Sequence, residues 1–266
     1  MKTSIMGVIN LTPDSFSDGG DLNSIEKVLD QVRYFLSNGV DIIDLGSQST
    51  RPGADEIGSK KEIERLLPNL IKIRSKYPEI LISVDTFNSE VAQEALSNGA
   101  NWINDVTGGR RDEKILDVVS NFNCPYVITH SRGNSKNMNK LNKYDDFLGE
   151  IFESLEILIE KALKKNIPKN NIILDPGIGF SKDTEQNLLL LRNLDLFKKF
   201  KLPILIGASR KRFIGDILDK TEPKERDFGT LAVSCLCSQL NIHLVRVHNV
   251  RANFEILKVA DRIYRK

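Results

Sequence analysis

Eight short apolar runs recur along the chain, at residues 5–9, 41–45, 81–84, 102–103, 125–128, 172–174, 203–206 and 244–247. The segments between them keep helical spacing, at 25–37, 60–76, 89–97, 113–121, 144–165, 185–194, 227–240 and 250–262. In the first, Ile25, Val28, Leu29, Val32 and Leu36 share one face, Ser24 is placed to cap it and Gly39 to end it. Pro68 is predicted to kink the second or to end its first part. Neighbouring parallel strands need a crossover, which a helix supplies. Eight β/α units therefore predict an α/β fold, a closed TIM (β/α)8 barrel, as a single domain over residues 1–266. The competing fold, an open doubly wound sheet, predicts G-x-G-x-x-G after the first strand, and none is present there.

The polar residues gather where the runs end. Asn10, Asp44, Asp85, Asn104, His130, Asp175, Ser209 with Lys211, and Arg246 with His248 all lie at or just past a run's C-terminal end. In a barrel those ends converge on the face that carries active sites. The connections there are informative as well. Residues 10–20 read N-L-T-P-D-S-F-S-D-G-G, too long for an ordinary strand-to-helix link and with an apolar Phe16 that argues against simple disorder. Residues 46–54 form a second such loop, G-S-Q-S-T-R-P-G-A, and the polar stretch 134–142 is expected to be a mobile one.

Charge excludes some partners. The 38 basic and 36 acidic residues nearly cancel, for a net charge of +2, so neither nucleic acid nor membrane is an expected partner and any anion site must be local. Cys124, Cys235 and Cys237 form no C-x-x-C pair, which points to a reducing, cytoplasmic setting and to small core residues at 235 and 237. No apolar stretch approaches membrane-spanning length, and the N-terminus does not read as a signal peptide.

Asp85, Asn104, Asp175 and Lys211 together offer acceptors and donors suited to a planar heterocycle with an amino-pyrimidinone edge. A carboxylate accepts two N–H bonds from such an edge, while an amide and an ammonium meet ring nitrogen and carbonyl oxygen. Arg51, Arg210, Lys211, Arg246 and His248 supply local charge for a phosphate or carboxylate, although Arg210 and Arg212 read equally well as surface charges. His130 reads as a core histidine. His248 and Arg246 alternate onto one side of a strand, which favours an anion site over zinc. A hard ion such as Mg²⁺, held by Asn10 and a substrate phosphate, is compatible with the same set. No G-x-S-x-G elbow supports a serine triad.

Seven segments carry a resemblance over essentially the whole chain: residues 10–20, S-T-R-P-G at 49–53, S-V-D-T at 83–86, I-N-D-V at 103–106, D-P-G-I-G-F at 175–180, S-R-K at 209–211 and R-V-H at 246–248. In order and spacing they closely resemble the dihydropteroate synthases. That resemblance implies a transferase of folate biosynthesis, which joins 4-aminobenzoate to 6-hydroxymethyl-dihydropterin diphosphate. It implies pterin contacts from Asp85, Asn104, Asp175, Phe180 and Lys211, and diphosphate contacts from Asn10, Arg246 and His248, with Asn10 reaching Mg²⁺. It implies an aminobenzoate pocket shaped by Phe16, Thr50, Arg51, Pro52 and Lys211, where sulfonamides compete. It implies catalytic roles for Asp85, Lys211 and Asp18, the last near the incoming amine, and a homodimer.

The chain departs from the family pattern at four places. Ser47-Gln48 replaces Gly-Glu, Ser131 follows His130 where Met is common, Ser181 stands where Gly is frequent, and Asn249 stands where Asp is usual. Gln48 and Asn249 each remove a carboxylate and are expected to bear on metal binding or on the orientation of neighbouring groups. Two other readings share the pterin contacts: a pterin-dependent methyltransferase, which has no use for residues 12–18 or S-T-R-P, and an inactive pterin-binding paralogue, which has no use for the diphosphate set.

Overall fold

A computed structural model describes residues 2–12, 22–48 and 53–265. Eight parallel strands form its centre: β1 (Ser4–Asn10), β2 (Ile42–Gly46), β3 (Leu81–Asp85), β4 (Trp102–Asp105), β5 (Tyr126–Thr129), β6 (Ile172–Asp175), β7 (Leu205–Ile206) and β8 (Leu244–Val247). Their order is β6-β5-β4-β3-β2-β1-β8-β7, and a parallel bridge between Leu174 and Ile204 joins the two ends. The sheet is therefore a closed barrel, as the alternation of runs predicts.

Alternation along each strand sorts the side chains into two environments. Met6, Ile42, Val127, Ile173, Leu205 and Leu244 form a small apolar cluster inside the barrel, with Trp102 against it. Their neighbours one residue away, such as Ile5, Ile43, Ile82, Ile103 and Ile172, pack outward into the main core under the helices. Burying strands on both faces explains why they read as unbroken apolar runs.

Among the described residues nine α-helices surround the barrel, one more than the sequence predicts. They are α1 (Leu22–Ser37), α2 (Gly58–Lys76), α3 (Ser89–Ser97), α4 (Lys114–Phe122), α5 (Phe147–Lys164), α6 (Thr184–Arg192), α7 (Arg212–Leu218), α8 (Asp227–Gln239) and α9 (Val250–Tyr264). The additional one, α7, is short and has no side-chain cap, so its local signal is weak. Helix α1 begins at Leu22, so Ser24 lies inside it and not at the position before it. Helix α2 continues through Pro68. Pro68 is exposed, so water can satisfy the carbonyl that its missing N–H leaves unbonded. The stretch 134–142 is not featureless: it holds a 3₁₀ turn, Met138–Lys140, anchored by the buried Met138. Cys124 and Cys237 are buried, and burial pushes both thiols up to about 12, so neither is a reactive nucleophile. Among the described residues no helix is long and apolar enough to cross a membrane.

Candidate active site

Register places the site. Asn10 pairs with Gly46, Gly46 with Asp85, and Asp85 with Asn104, so four successive strands present these residues in one row at the barrel mouth. Register partners in a parallel sheet point to the same face, here the interior. Gly46 is the gap in the row. A Cβ built there lies 3.8 Å from both Asn10 Oδ1 and Asp85 Oδ2, so the missing side chain leaves those two oxygens facing common space. Gly207 plays the same part across the mouth, where a Cβ falls 3.6 Å from Asp175 Oδ2 and 3.9 Å from Arg246 Cβ.

One guanidinium serves two carboxylates. Arg246 donates from Nε to Asp44 Oδ2 at 2.6 Å and from Nη2 to Asp85 Oδ2 at 2.7 Å. Asn104 donates to the same Asp44 oxygen at 3.3 Å. Burial raises the Asp85 carboxyl to about 7; Arg246 opposes the shift, and Asp44 and Glu62 add to it. Burial also opposes the charge on Arg246, but Asp44 and Asp85 outweigh it and hold the guanidinium protonated. The cluster is thus short of positive charge at the mouth.

Asp175 lies under the turn that follows β6. Its Oδ1 accepts from Gly177 N at 2.8 Å. Burial raises this carboxyl above its ordinary range, against the pull of Lys211 and the Gly177 N–H. Lys211 crosses from the β7 side, donates to Ile178 O and stands 4.3 Å from the centre of the Phe180 ring. Its stem packs on Gly179, where a Cβ would fall 2.7 Å from Lys211 Cδ and the backbone φ is +78°. Burial lowers the Lys211 amine to about 8, with Asp175 holding it up.

The β7 and β8 loops are tied together behind Lys211. Ser209 Oγ is 3.0 Å from His248 Nδ1 and accepts from His248 N at 3.2 Å. Arg210, at φ +59°, donates to both oxygens of Asp227, at 2.6 and 2.9 Å. Asn249 donates to Asp227 Oδ2 at 2.9 Å and caps α9 by accepting from Ala252 N. Arg210 is therefore a structural brace and not a free surface charge, whereas the Arg212 side chain is 80% exposed.

Asn10, Asp85, Asn104, Asp175, Phe180, Lys211, Arg246 and His248 all come to the barrel mouth. Phe16, Asp18, Thr50, Arg51 and Pro52 lie outside the described residues. His130 points outward from the barrel and is fully buried, as a core histidine should be. Burial and then Lys182, Arg110 and Arg132 hold its pKa well below the usual value. Sequence reasoning noted Asp44 at a strand end but gave it no role, and it missed Asp227 and Lys182. Asp227 carries no local signal, since its partner Arg210 is a long-range neighbour.

The four departures have structural roles away from the row. Gln48 Oε1 accepts from Ile57 N at 3.4 Å, just before α2. Ser131 donates to Val106 O at 2.6 Å and accepts from Arg110. Ser181 is buried at φ +51°, accepts from Arg132 N at 3.0 Å and donates to Arg132 O at 2.6 Å. The left-handed backbone explains why glycine is frequent there. Asn249 turns toward Asp227, so its missing carboxylate is not a loss at the row.

Beside Phe180, an open cleft lies among the loops after β3, β4 and β5, with Phe87, Val106, Arg111 and Met138 in its wall. Asp85, Asn104, Asp175 and Lys211 do not line it. The convergent donors and acceptors place the chemistry at the mouth, and the cleft flanks it.

The chain is similar to known proteins over its whole length. The family model described as "Pterin binding enzyme" matches residues 6–248. A dihydropteroate synthase from Synechocystis is 43% identical over 99% of this chain and 91% of its own length. A mitochondrial folate synthesis bifunctional protein from Arabidopsis thaliana is 44% identical over 100% of this chain, which spans 50% of that longer protein. The crystal structure of a dihydropteroate synthase from Clostridium difficile, determined in the presence of pteroic acid, superposes with a TM-score of 0.94 at 40% identity, covering 100% of this chain and 98% of that one. With its barrel, its row of polar strand ends and these full-length matches, the chain belongs to the dihydropteroate synthase family of pterin-binding enzymes.

Proposed function

We propose that this chain joins 4-aminobenzoate to 6-hydroxymethyl-7,8-dihydropterin diphosphate, giving 7,8-dihydropteroate and diphosphate for folate biosynthesis. The observation that carries the reading is the glycine-walled mouth where Asp85, Asn104, Asp175 and Lys211 converge. Asp175 accepts the amino-pyrimidinone N–H pair, Asn104 meets the ring nitrogens and Lys211 the ring carbonyl. Phe180 packs against the ring. Pteroic acid, present with the Clostridium difficile relative, contains both halves of such a product.

The carbon–oxygen bond to diphosphate breaks first and its electron pair leaves with the diphosphate. The methylene carbon is left cationic and conjugated to the pterin. Two carboxylates sharing Arg246 favour that charge, since the cluster lacks a full counter-charge. The aminobenzoate nitrogen then attacks the methylene, forms the carbon–nitrogen bond and loses a proton, a step for which the family resemblance nominates Asp18. Thr50, Arg51, Pro52, Phe16 and Lys211 shape the second-substrate pocket. Asn10, Arg246 and His248 hold the diphosphate.

The donor set around Asn10 fits Mg²⁺. An amide oxygen and a carboxylate oxygen face common space at Gly46, and hard oxygens are what this ion takes. Asn10 would hold the ion together with oxygens of the substrate diphosphate. The ion supplies charge neutralisation for the departing diphosphate. We expect a homodimer, for which the strongly exposed Phe228, Val259 and Ile263 on α8 and α9 offer apolar surface. Sedimentation of the purified protein checks it.

The test of the reaction is diphosphate release by purified protein with pterin diphosphate and Mg²⁺, with and without 4-aminobenzoate. Dihydropteroate that requires both substrates supports the proposal. Pterin binding without diphosphate release in the presence of both would refute it.

A further inference from the structure

Lys182 lies behind the pterin-facing turn, outside the barrel mouth and nine-tenths buried. Its Nζ is 3.0 Å from Gly177 O, 3.0 Å from Phe180 O and 2.9 Å from His130 Nδ1. None of these partners is a carboxylate. The Asp175 carboxylate acts on it only through space, and a buried lysine with no carboxylate in hydrogen-bond contact is uncommon and needs a reason. Three acceptors match the hydrogen-bonding capacity of one amine, and burial holds its pKa well below the usual value. A neutral amine satisfies the same three contacts if the imidazole donates, so the geometry survives either protonation state.

The two carbonyls belong to the turn that carries the site. Gly177 N bonds the Asp175 carboxylate, and Phe180 N closes the turn on Gly177 O at 3.1 Å. On the opposite side Lys211 donates to Ile178 O. Two lysines therefore grip alternate carbonyls of one turn, Lys211 from the mouth and Lys182 from behind. A ligand at the mouth competes with Ile178 O for the Lys211 amine. The turn then rests on its remaining contacts, Gly177 N to Asp175, Gly179 N to Asn187 Oδ1 at 2.6 Å and the two carbonyls held by Lys182, and the Lys182 contacts do not involve Lys211.

We propose that Lys182, braced by His130, is a positioning residue that fixes the turn bearing Asp175 and Phe180 while Lys211 transfers from Ile178 O to the pterin. The proposal rests on the reading that a pterin occupies the mouth. It separates Lys182 from the diphosphate-side residues Asn10, Arg246 and His248, which lie on other strands.

The experiment titrates 6-hydroxymethylpterin, and separately inorganic diphosphate with Mg²⁺, into the full-length protein by calorimetry, with thermal melting in parallel. Lys182→Met keeps the stem and removes the amine. The expected result is pterin affinity weakened by about tenfold, with diphosphate affinity within about twofold of the starting protein, on the scale of one lost hydrogen bond. Should Lys182→Met fail to fold, His130→Leu and His130→Asn carry the test. Removing one of the three contacts in His130→Leu is expected to weaken pterin binding about threefold, and His130→Asn, which restores an acceptor near Nδ1, to recover it. Unchanged pterin affinity in Lys182→Met, or in His130→Leu where that variant carries the test, overturns the proposal. So does a parallel loss of pterin and diphosphate affinity, because that is what general destabilisation gives. Failure of the unsubstituted protein to bind pterin overturns the functional reading instead.

Discussion

Gly177→Ala is expected to be among the most damaging single-methyl changes in the molecule. Gly177 has φ +77°, and a Cβ built on it lies 1.8 Å from His130 O and 2.9 Å from His130 C. Left-handed backbone costs an alanine roughly 1–2 kcal/mol on its own. The overlap adds more, because it must open by over an ångström before it reaches the 3.0 Å below which real Cβ contacts essentially never fall. His130 cannot easily give. It is fully buried, and its N–H donates to Asp175 O at 2.9 Å. The turn must move instead, which stretches the bond from Gly177 N to Asp175 and the bond from Lys182 to Gly177 O. The first, to a carboxylate, is charge-assisted and worth about 1.5–3 kcal/mol when fully lost, and the second about 0.5–1.5 kcal/mol, so partial loss of both brings the total to roughly 3–4 kcal/mol.

Gly58→Ala is the matched control. Gly58 has φ +74° but nothing within 4 Å of its built Cβ, so it reports the backbone cost alone. For a chain of this size each kcal/mol lowers Tm by about 2–4 °C, so Gly177→Ala is expected to melt roughly 10 °C below the starting protein and Gly58→Ala only a few degrees below it. Circular dichroism melts of the three proteins measure this directly. If the two variants melt within about 2 °C of each other, the reasoning that backbone overlap dominates is wrong.

Three further outcomes follow from the same geometry. Lys211 has a folded pKa of about 8, below the value near 10.4 of an unfolded lysine, so between these the unfolded chain holds a proton that the folded one has lost and this group makes stability rise with pH across that window; kcat/KM for the pterin substrate should fall as pH passes about 8, and Lys211→Arg should move that limb upward. Asn249→Asp keeps a cap for α9 but sets a second carboxylate against Asp227 in place of the 2.9 Å donor contact; the expected loss is about 1–3 kcal/mol in urea denaturation, recovered in part by Asp227→Asn. Ser181→Gly relieves roughly 1 kcal/mol of left-handed strain but removes the partners of both Arg132 backbone groups, so the net change is a destabilisation of about 1 kcal/mol and not a gain; a stabilised Ser181→Gly would mean those bonds contribute nothing.

The architecture was legible because the barrel imposes a periodicity on the chain. Strands buried on both faces must be apolar runs, and parallel neighbours must be separated by helices. The row of strand ends was legible for a related reason. Asn10, Asp85 and Asn104 interrupt apolar runs at positions where a buried polar group needs a purpose. What escaped was non-local or against the usual trend. The pairing of Arg210 with Asp227 joins the β7 loop to α8, and no window of sequence contains the reason for it. Lys182 defeats the expectation that lysine is exposed. Helix α7 is held by Phe213 and Ile214 against the core, too few positions to show a period.

The four departures from the family pattern, read from sequence, put efficiency in question, and their surroundings show what each side chain does in its place. A residue in the row has to satisfy a ligand, whose shape is fixed by chemistry. A residue that turns away from the row has to satisfy only its neighbour, and the neighbour can change with it. Asn249 illustrates the difference. An aspartate at this position would face Asp227 with like charge, whereas an asparagine donates to Asp227 and still caps α9. Ser181 follows the same logic: it accepts a left-handed φ in exchange for two bonds to Arg132 that a glycine could not make. Substitution at such positions is constrained in pairs, so the consequence of Asn249 is decided at Asp227 and not at the substrate. A double-mutant cycle on Asp227 and Asn249 should therefore show a coupling energy of about 1 kcal/mol or more, while a cycle pairing Asn249 with Asp175 should show additivity within roughly 0.5 kcal/mol.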